Sequence, residues 1–123
     1  MTKKTILVVD DELDLVKAVE VRLKAAGYAV LVAYDGQDGL EKARRIKPDL
    51  IILDLMLPKL DGYRVCRMLK YDVKYQQIPI IMFTARAQEE DKKMGEDVGA
   101  DAFITKPFEP QELLSKISEF LKK

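Results

Sequence analysis

The chain has 123 residues, 48% of them hydrophobic, with 21 Lys+Arg against 21 Asp+Glu and no histidine. A balanced charge argues against nonspecific binding to DNA or an anionic membrane, since both need a basic excess. The missing histidine excludes Ser-His-Asp and Cys-His catalysis and every His-ligated metal site, so any phosphohistidine chemistry has to come from a partner.

Apolar runs alternate with helical patterns along the chain. Thr5 to Asp10 (TILVVD) is a short, nearly continuous apolar run that ends in acid. Leu13, Val16, Val19 and Leu23 then recur at helical spacing, and Gly27 supplies a stop. Tyr28 to Ala33 (YAVLVA) is rich in β-branched residues. Gly39, Leu40, Ala43 and Ile46 form a second helical stripe, which Pro48 ends. Leu50 to Leu53 leads to Asp54. Val65, Met68 and Leu69 belong to a third helix, entered through Asp61-Gly62, with Cys66 expected as a buried small hydrophobe. Ile78 to Phe83 (IPIIMF) ends at Thr84. The fourth helical segment, around Gln88 to Asp97, is mostly charged, with Gly95 inside it. Ala102 to Thr105 (AFIT) ends at Lys106. The fifth helical segment is the cleanest, with Leu113, Leu114, Ile117, Phe120 and Leu121 on one face and Pro110 near its first position.

Five apolar runs without strict alternation read as parallel strands buried on both faces. Five βα units in series predict an α/β fold, a doubly wound five-stranded parallel sheet with right-handed crossovers and helices on both faces. No linker or low-complexity stretch interrupts the chain, so residues 1–123 are expected to form a single domain. A lone cysteine, no apolar run near the roughly 20 residues of a membrane span, and no signal-peptide pattern before the first strand make a cytoplasmic protein the expectation.

Every run but the second ends in a residue able to do chemistry: Asp10-Asp11-Glu12, Asp54, Thr84 and Lys106. Ligands of open α/β sheets bind outside the carboxyl ends of the strands, where the strand order reverses. In the flavodoxin-like order 2-1-3-4-5, strands 1 and 3 meet there, which gathers Asp10, Asp11 and Asp54. Two unit charges about 4 Å apart repel by roughly 4 kcal/mol at an effective dielectric near 20. Either a cation sits among these carboxylates or one of them protonates. Lys106 supplies one candidate charge, and a hard divalent ion such as Mg²⁺ is another, because the donors are all oxygen. Each of these residues taken alone fits a blander role as a helix cap, turn or solvated loop residue.

Together, VVDDE, the strand-terminal Asp of LIILDLMLPKLDG, IPIIMFTA and FITKPF resemble the receiver domain of two-component response regulators, over about Ile6 to Leu121, in the chemotaxis-regulator-like, single-domain form. The resemblance implies that Asp54 is the phosphoacceptor. It implies Mg²⁺ as cofactor, held by Asp11 directly, by Asp10 largely through water, by Asp54 and by the backbone carbonyl of Met56. Thr84, with the adjoining Ala85, and Lys106 would bind the phosphoryl group, and Lys106-Pro107 would be a cis peptide. Phe103 stands where the family places an aromatic switch residue, here without a hydroxyl. Met56 and Arg86 stand where the family tunes phosphate lifetime; Met offers an attacking water no strong hydrogen bond, which suggests a long-lived phosphorylated state. The implied donor is a sensor histidine kinase or histidine phosphotransfer protein, and the implied output is a downstream effector protein or a fused output domain, with a phosphorylation-dependent dimer compatible. The marginal fourth segment suggests that the face made by the fourth helical segment, the fifth strand and the fifth helical segment carries the signal.

Other classes fit less well. An aspartyl-nucleophile phosphatase needs an acid two residues after its nucleophile, and that position is Met56. A flavin-phosphate site needs a first loop rich in backbone donors, and Asp-Asp-Glu repels phosphate. A degenerate receiver acting only as a binding module is disfavoured by the retained acids, Thr84 and Lys106. No external-substrate enzyme and no direct nucleic-acid or membrane binding by this chain is expected.

Overall fold

The computed structural model describes residues 3–84, 93 and 97–122. Its elements run β1 (Thr5–Val9), α1 (Leu13–Ala25), β2 (Ala29–Ala33), α2 (Gly36–Ile46), β3 (Leu50–Asp54), α3 (Gly62–Lys70), β4 (Ile80–Thr84), β5 (Ala102–Thr105) and α4 (Pro110–Leu121), the last being the fifth helical pattern of the sequence. The five strands form one parallel sheet in the order β2-β1-β3-β4-β5, as expected.

Continuous apolar runs arise because alternate side chains of each strand feed two different cores. Ile6 and Val8 pack with Leu50, Ile52, Ile81 and Phe83 under α1 and α4. Leu7 and Val9 pack with Ile51, Leu53, Ile80 and Met82 under α2 and α3. Each fully buried aliphatic side chain contributes on the order of 1.5–3 kcal/mol relative to exposure. A polar residue inside such a strand would be costly, so chemistry is confined to the strand ends.

Helix boundaries follow local chemistry. Asp35 caps α2 by accepting the Asp38 N–H at 2.8 Å, and Asp61 caps α3 by accepting the Arg64 N–H at 3.0 Å. Pro110 opens α4 at its first position, and α1 is followed by Gly27 at φ 96°. Strand β4 begins at Ile80 and takes in Thr84, later than the apolar pattern suggests, because Pro79 lacks the N–H a ladder needs.

Three stripe positions are exposed: Leu13, Ile46 and Met68. At about 100° per residue, Leu13 and Met68 each lie roughly 60° outside the arc set by the buried residues of their helices. Ile46 is the last residue of α2. Cys66 takes the buried place on α3. Ala85, Arg86 and most of the fourth helical segment lie outside the described residues.

Candidate functional site

Strand register assembles the site. Val9 pairs with Leu53, which sets Asp10, one residue on, beside Asp54 at the end of β3. Asp54 pairs with Phe83, just before Thr84, and Thr84 pairs with Thr105, just before Lys106. The Lys106 N–H donates to the Thr84 carbonyl at 2.7 Å, extending that ladder by one rung. Four separate strand ends thus deliver Asp10, Asp54, Thr84 and Lys106 to one rim. Lys106-Pro107 is cis.

The rim is electrostatically unbalanced. Asp10 is fully buried and Asp54 is 6% exposed. Lys106 Nζ lies 2.9 Å from Asp10 Oδ2, 2.7 Å from Glu12 Oε1 and 3.5 Å from Asp54 Oδ2. Among the described residues, one ammonium therefore faces three carboxylates. Burial, reinforced by the Asp10 charge, pushes the Asp54 carboxyl up to about 6, against the opposing pull of Lys106 and the Met56 N–H; Asp11 adds to the rise. Burial alone would lower Lys106, but hydrogen bonds to Glu12 and Asp10 and the charges of Asp54 and Asp10 hold it above its usual value.

Carboxylate oxygens of Asp10, Glu12 and Asp54 lie within 4.8 Å of one another, a set that could hold a metal ion. Such an all-oxygen, anionic group suits a hard divalent cation. Glu12 was legible only as the third acid of VVDDE, and sequence reasoning gave it no role. Asp11 is exposed and stands outside that group, although its charge reaches Asp54. The Met56 N–H approaches Asp54 Oδ1 at 3.5 Å, and its side chain is exposed.

Thr84 is 1% exposed, and its Oγ1 has no hydrogen-bond partner among the described residues. A buried hydroxyl left unpaired costs roughly 1–3 kcal/mol, which marks it as awaiting a partner. Phe103 is half-buried against the core under α2 and α3. Cys66 stands apart from the site: its thiol points to the Val98 carbonyl at 3.6 Å, and burial pushes it up to about 12, which makes it inert at neutral pH.

A pocket of about 530 Å³ opens beside the rim, between α1 and α4, with Glu12, Lys106, Leu15 and Leu114 among its walls. Among the described residues, no helix is long and apolar enough to cross a membrane.

Residues 6–118 match a family model described as the response regulator receiver domain. The alkaline phosphatase synthesis transcriptional regulatory protein PhoP of Bacillus subtilis (strain 168) is 46% identical over 120 residues, which is 98% of this chain and 49% of that protein. The chain spans about half the length of the curated relatives it matches. A CheY-like response regulator receiver domain protein from Methanospirillum hungatei superimposes with a TM-score of 0.92 at 31% identity, covering 98% of this chain and 95% of that one. The chemotaxis response regulator CheY4 of Vibrio cholerae superimposes at 0.91 with 34% identity, covering 97% and 99%.

Proposed function

The chain belongs to the response regulator receiver domain family, and from that premise we propose that it accepts a phosphoryl group on Asp54 from a phosphohistidine donor, with Mg²⁺ as cofactor. The observation that carries this reading is Lys106 Nζ reaching Asp10, Glu12 and Asp54 at 2.9, 2.7 and 3.5 Å, among the described residues the one cation that meets these three carboxylates. Such a site has spare negative charge for a divalent ion and a lysine placed to meet a phosphoryl oxygen.

Ionised Asp54 supplies the nucleophilic oxygen. A new O–P bond forms as the P–N bond to the donor imidazole breaks, and the bonding pair leaves with the imidazole nitrogen. Lys106 turns from the carboxylates to a phosphoryl oxygen and stabilises the charge there. The Thr84 hydroxyl, unpaired among the described residues, donates to another. Asp10, Asp54 and the main chain of Met56, with Asp11 at the rim, would hold Mg²⁺, which when bound screens the attacking carboxylate from the incoming anion. The chain performs this transfer once per phosphorylation on itself, without turning over an external substrate.

On this reading the donor is a sensor histidine kinase or a histidine phosphotransfer protein in the cytoplasm. The signal leaves through the segment before β5, through β5 with Phe103, and through α4, to an effector or to an output domain of a longer protein. Residues 1–123 act as one receiver unit, with Ala85 and Arg86 lying next to Thr84 in sequence.

Intact mass after incubation with Mg²⁺ and acetyl phosphate tests the reading. One added phosphoryl group is expected for the wild type, and none for Asp54→Asn or in EDTA. Uptake that persists in Asp54→Asn would sink the assignment of the acceptor.

A further inference from the structure

Gly36, the first residue of α2, packs against main chain rather than a side chain. A Cβ at that position would overlap the Leu60 carbonyl oxygen and lie 3.0 Å from Leu60 Cβ. The Gly36 N–H donates to the Pro58 carbonyl at 3.3 Å, and the same carbonyl accepts the Leu60 N–H at 2.8 Å. Helix α2 therefore bears directly on residues 58–60, in the loop that joins β3 to α3.

That loop has little slack. Its start is tied by the Leu55 N–H donating to the Phe83 carbonyl at 3.2 Å, and its end by the Gly62 N–H donating to the Leu55 carbonyl at 2.9 Å. A Cβ at Gly62 would overlap the Asp54 carbonyl. Lys59 adopts a left-handed φ of 69°, an uncommon conformation for a residue with a side chain. The same loop carries Met56, whose N–H lies 3.5 Å from Asp54 Oδ1. Residue 60 and Met56 therefore belong to one short loop tied at both ends, so a push at residue 60 bears on the segment that carries Met56.

We propose that Gly36 is a positioning residue for the phosphoryl-accepting site: the missing side chain at residue 36 lets α2 hold the β3–α3 loop where the Met56 main chain meets Asp54. The inference rests on the reading of Asp54 as a Mg²⁺-dependent acceptor. Gly39 supplies the contrast. It lies three residues on in the same helix, and a Cβ there would come 2.8 Å from Val9 Cγ1, a core side chain far from the loop in sequence. Both glycines resist a methyl group, but only Gly36 presses on the loop that touches the acceptor.

The test compares Mg²⁺ affinity, read by ¹⁵N NMR titration, across the wild type and the variants Gly36→Ala, Gly39→Ala and Pro58→Gly, with melting temperature measured alongside. Both alanine variants are expected to melt lower. Gly36→Ala should lose Mg²⁺ affinity about tenfold or more, the scale seen when the support behind metal ligands is disturbed, and should shift the Met56 amide resonance. Gly39→Ala presses on Val9, directly before Asp10, and not on the β3–α3 loop, so its Met56 amide resonance should stay at the wild-type position whatever its affinity. Pro58 is exposed, so Pro58→Gly should fold while loosening the loop from its other side, lowering affinity about two- to fivefold. A folded Gly36→Ala protein with wild-type affinity would overturn the proposal, as would an equal shift of the Met56 amide resonance in Gly39→Ala. If Gly36→Ala does not fold, wild-type affinity in Pro58→Gly overturns it. A wild type that neither binds Mg²⁺ nor gains mass with acetyl phosphate would instead bring down the acceptor reading, and this inference with it.

Discussion

Two half-buried lysines mark different ends of the sheet, and their partners differ in kind. At the N-terminal end of β4, Lys70 Nζ lies 2.7 Å from Asp101 Oδ2 and donates to the carbonyls of Ile78 at 2.7 Å and Gln76 at 3.1 Å. Asp101 Oδ2 also accepts the Ile80 N–H at 2.7 Å. One cation meets one anion, and each remaining partner is a neutral main-chain group. At the C-terminal rim, Lys106 meets three carboxylates, Asp54 is pushed up to about 6, and the Thr84 hydroxyl lacks a partner among the described residues. The first arrangement is complete and holds loops in place. The second is incomplete in charge and in hydrogen bonding, and a divalent cation with a phosphoryl group would complete both. Buried polar groups left unfinished in an otherwise satisfied fold point to chemistry.

The contrast predicts opposite phenotypes. Lys70→Met should destabilise the protein by about 3 kcal/mol, because Asp101 loses its counter-charge while two carbonyls lose a donor. Its Mg²⁺ affinity should stay at the wild-type value. Urea unfolding and NMR titration read the two quantities, and a fall in Mg²⁺ affinity in folded Lys70→Met protein would break the distinction between the two ends.

A smaller effect of the opposite sign is expected at Asp54. Its folded-state pKa lies near 6, above the ordinary 3.8. The native state therefore holds this proton more tightly than the unfolded chain, and the metal-free protein loses stability as pH rises from about 4 through about 6. Above that range the penalty is complete. Asp54→Asn should then stabilise the metal-free protein at pH 7 by about 1–2 kcal/mol, a value reduced from the full shift by solvent screening. The gain should vanish below pH 4. The same proton competes with the metal, so wild-type Mg²⁺ affinity should weaken as pH falls through 6. A stability difference between Asp54→Asn and wild type that does not change with pH would show that charge at the rim is not its source.

The comparison also explains what could be read from the sequence. Asp54, Asp10 and Lys106 were legible because parallel strands buried on both faces leave only their ends for polar residues, and every run but the second ends in one. Strand order followed from five βα repeats and from the family resemblance. Glu12 was not assigned, because its long side chain reaches Lys106 from 94 positions away in a contact that no local pattern encodes. Lys70 reads as an ordinary basic residue ending α3; only the fold brings Asp101 to it. Leu13 and Met68 satisfied an approximate helical spacing, yet they lie outside the narrower arc that the sheet covers. Gly36 was given no role in the sequence pattern, because its constraint comes from Leu60, on a different βα unit.

The finest distinction lies within the rim, between its buried acids and its exposed one. Glu12 makes a 2.7 Å contact with Lys106, yet its side chain is 60% exposed, whereas Asp10 is fully buried. Its hold on the lysine is therefore screened and weak, on the order of 0.2–1 kcal/mol. In the resting state that hold is enough to share the ammonium between Glu12 and the acceptor side of the rim. On the proposed function, a phosphoryl oxygen arriving at Asp54 has to draw Lys106 away from it. Glu12→Gln keeps the length of the side chain and removes the charge, so at saturating Mg²⁺ it should speed uptake from acetyl phosphate by about 1.4- to 5-fold, the rate equivalent of that weak pair. The gain should shrink as salt is raised, because an exposed pair is already screened. A slower rate at saturating Mg²⁺ would instead make Glu12 a contributor to the metal or phosphoryl site, and would join it to the buried acids from which its exposure separates it.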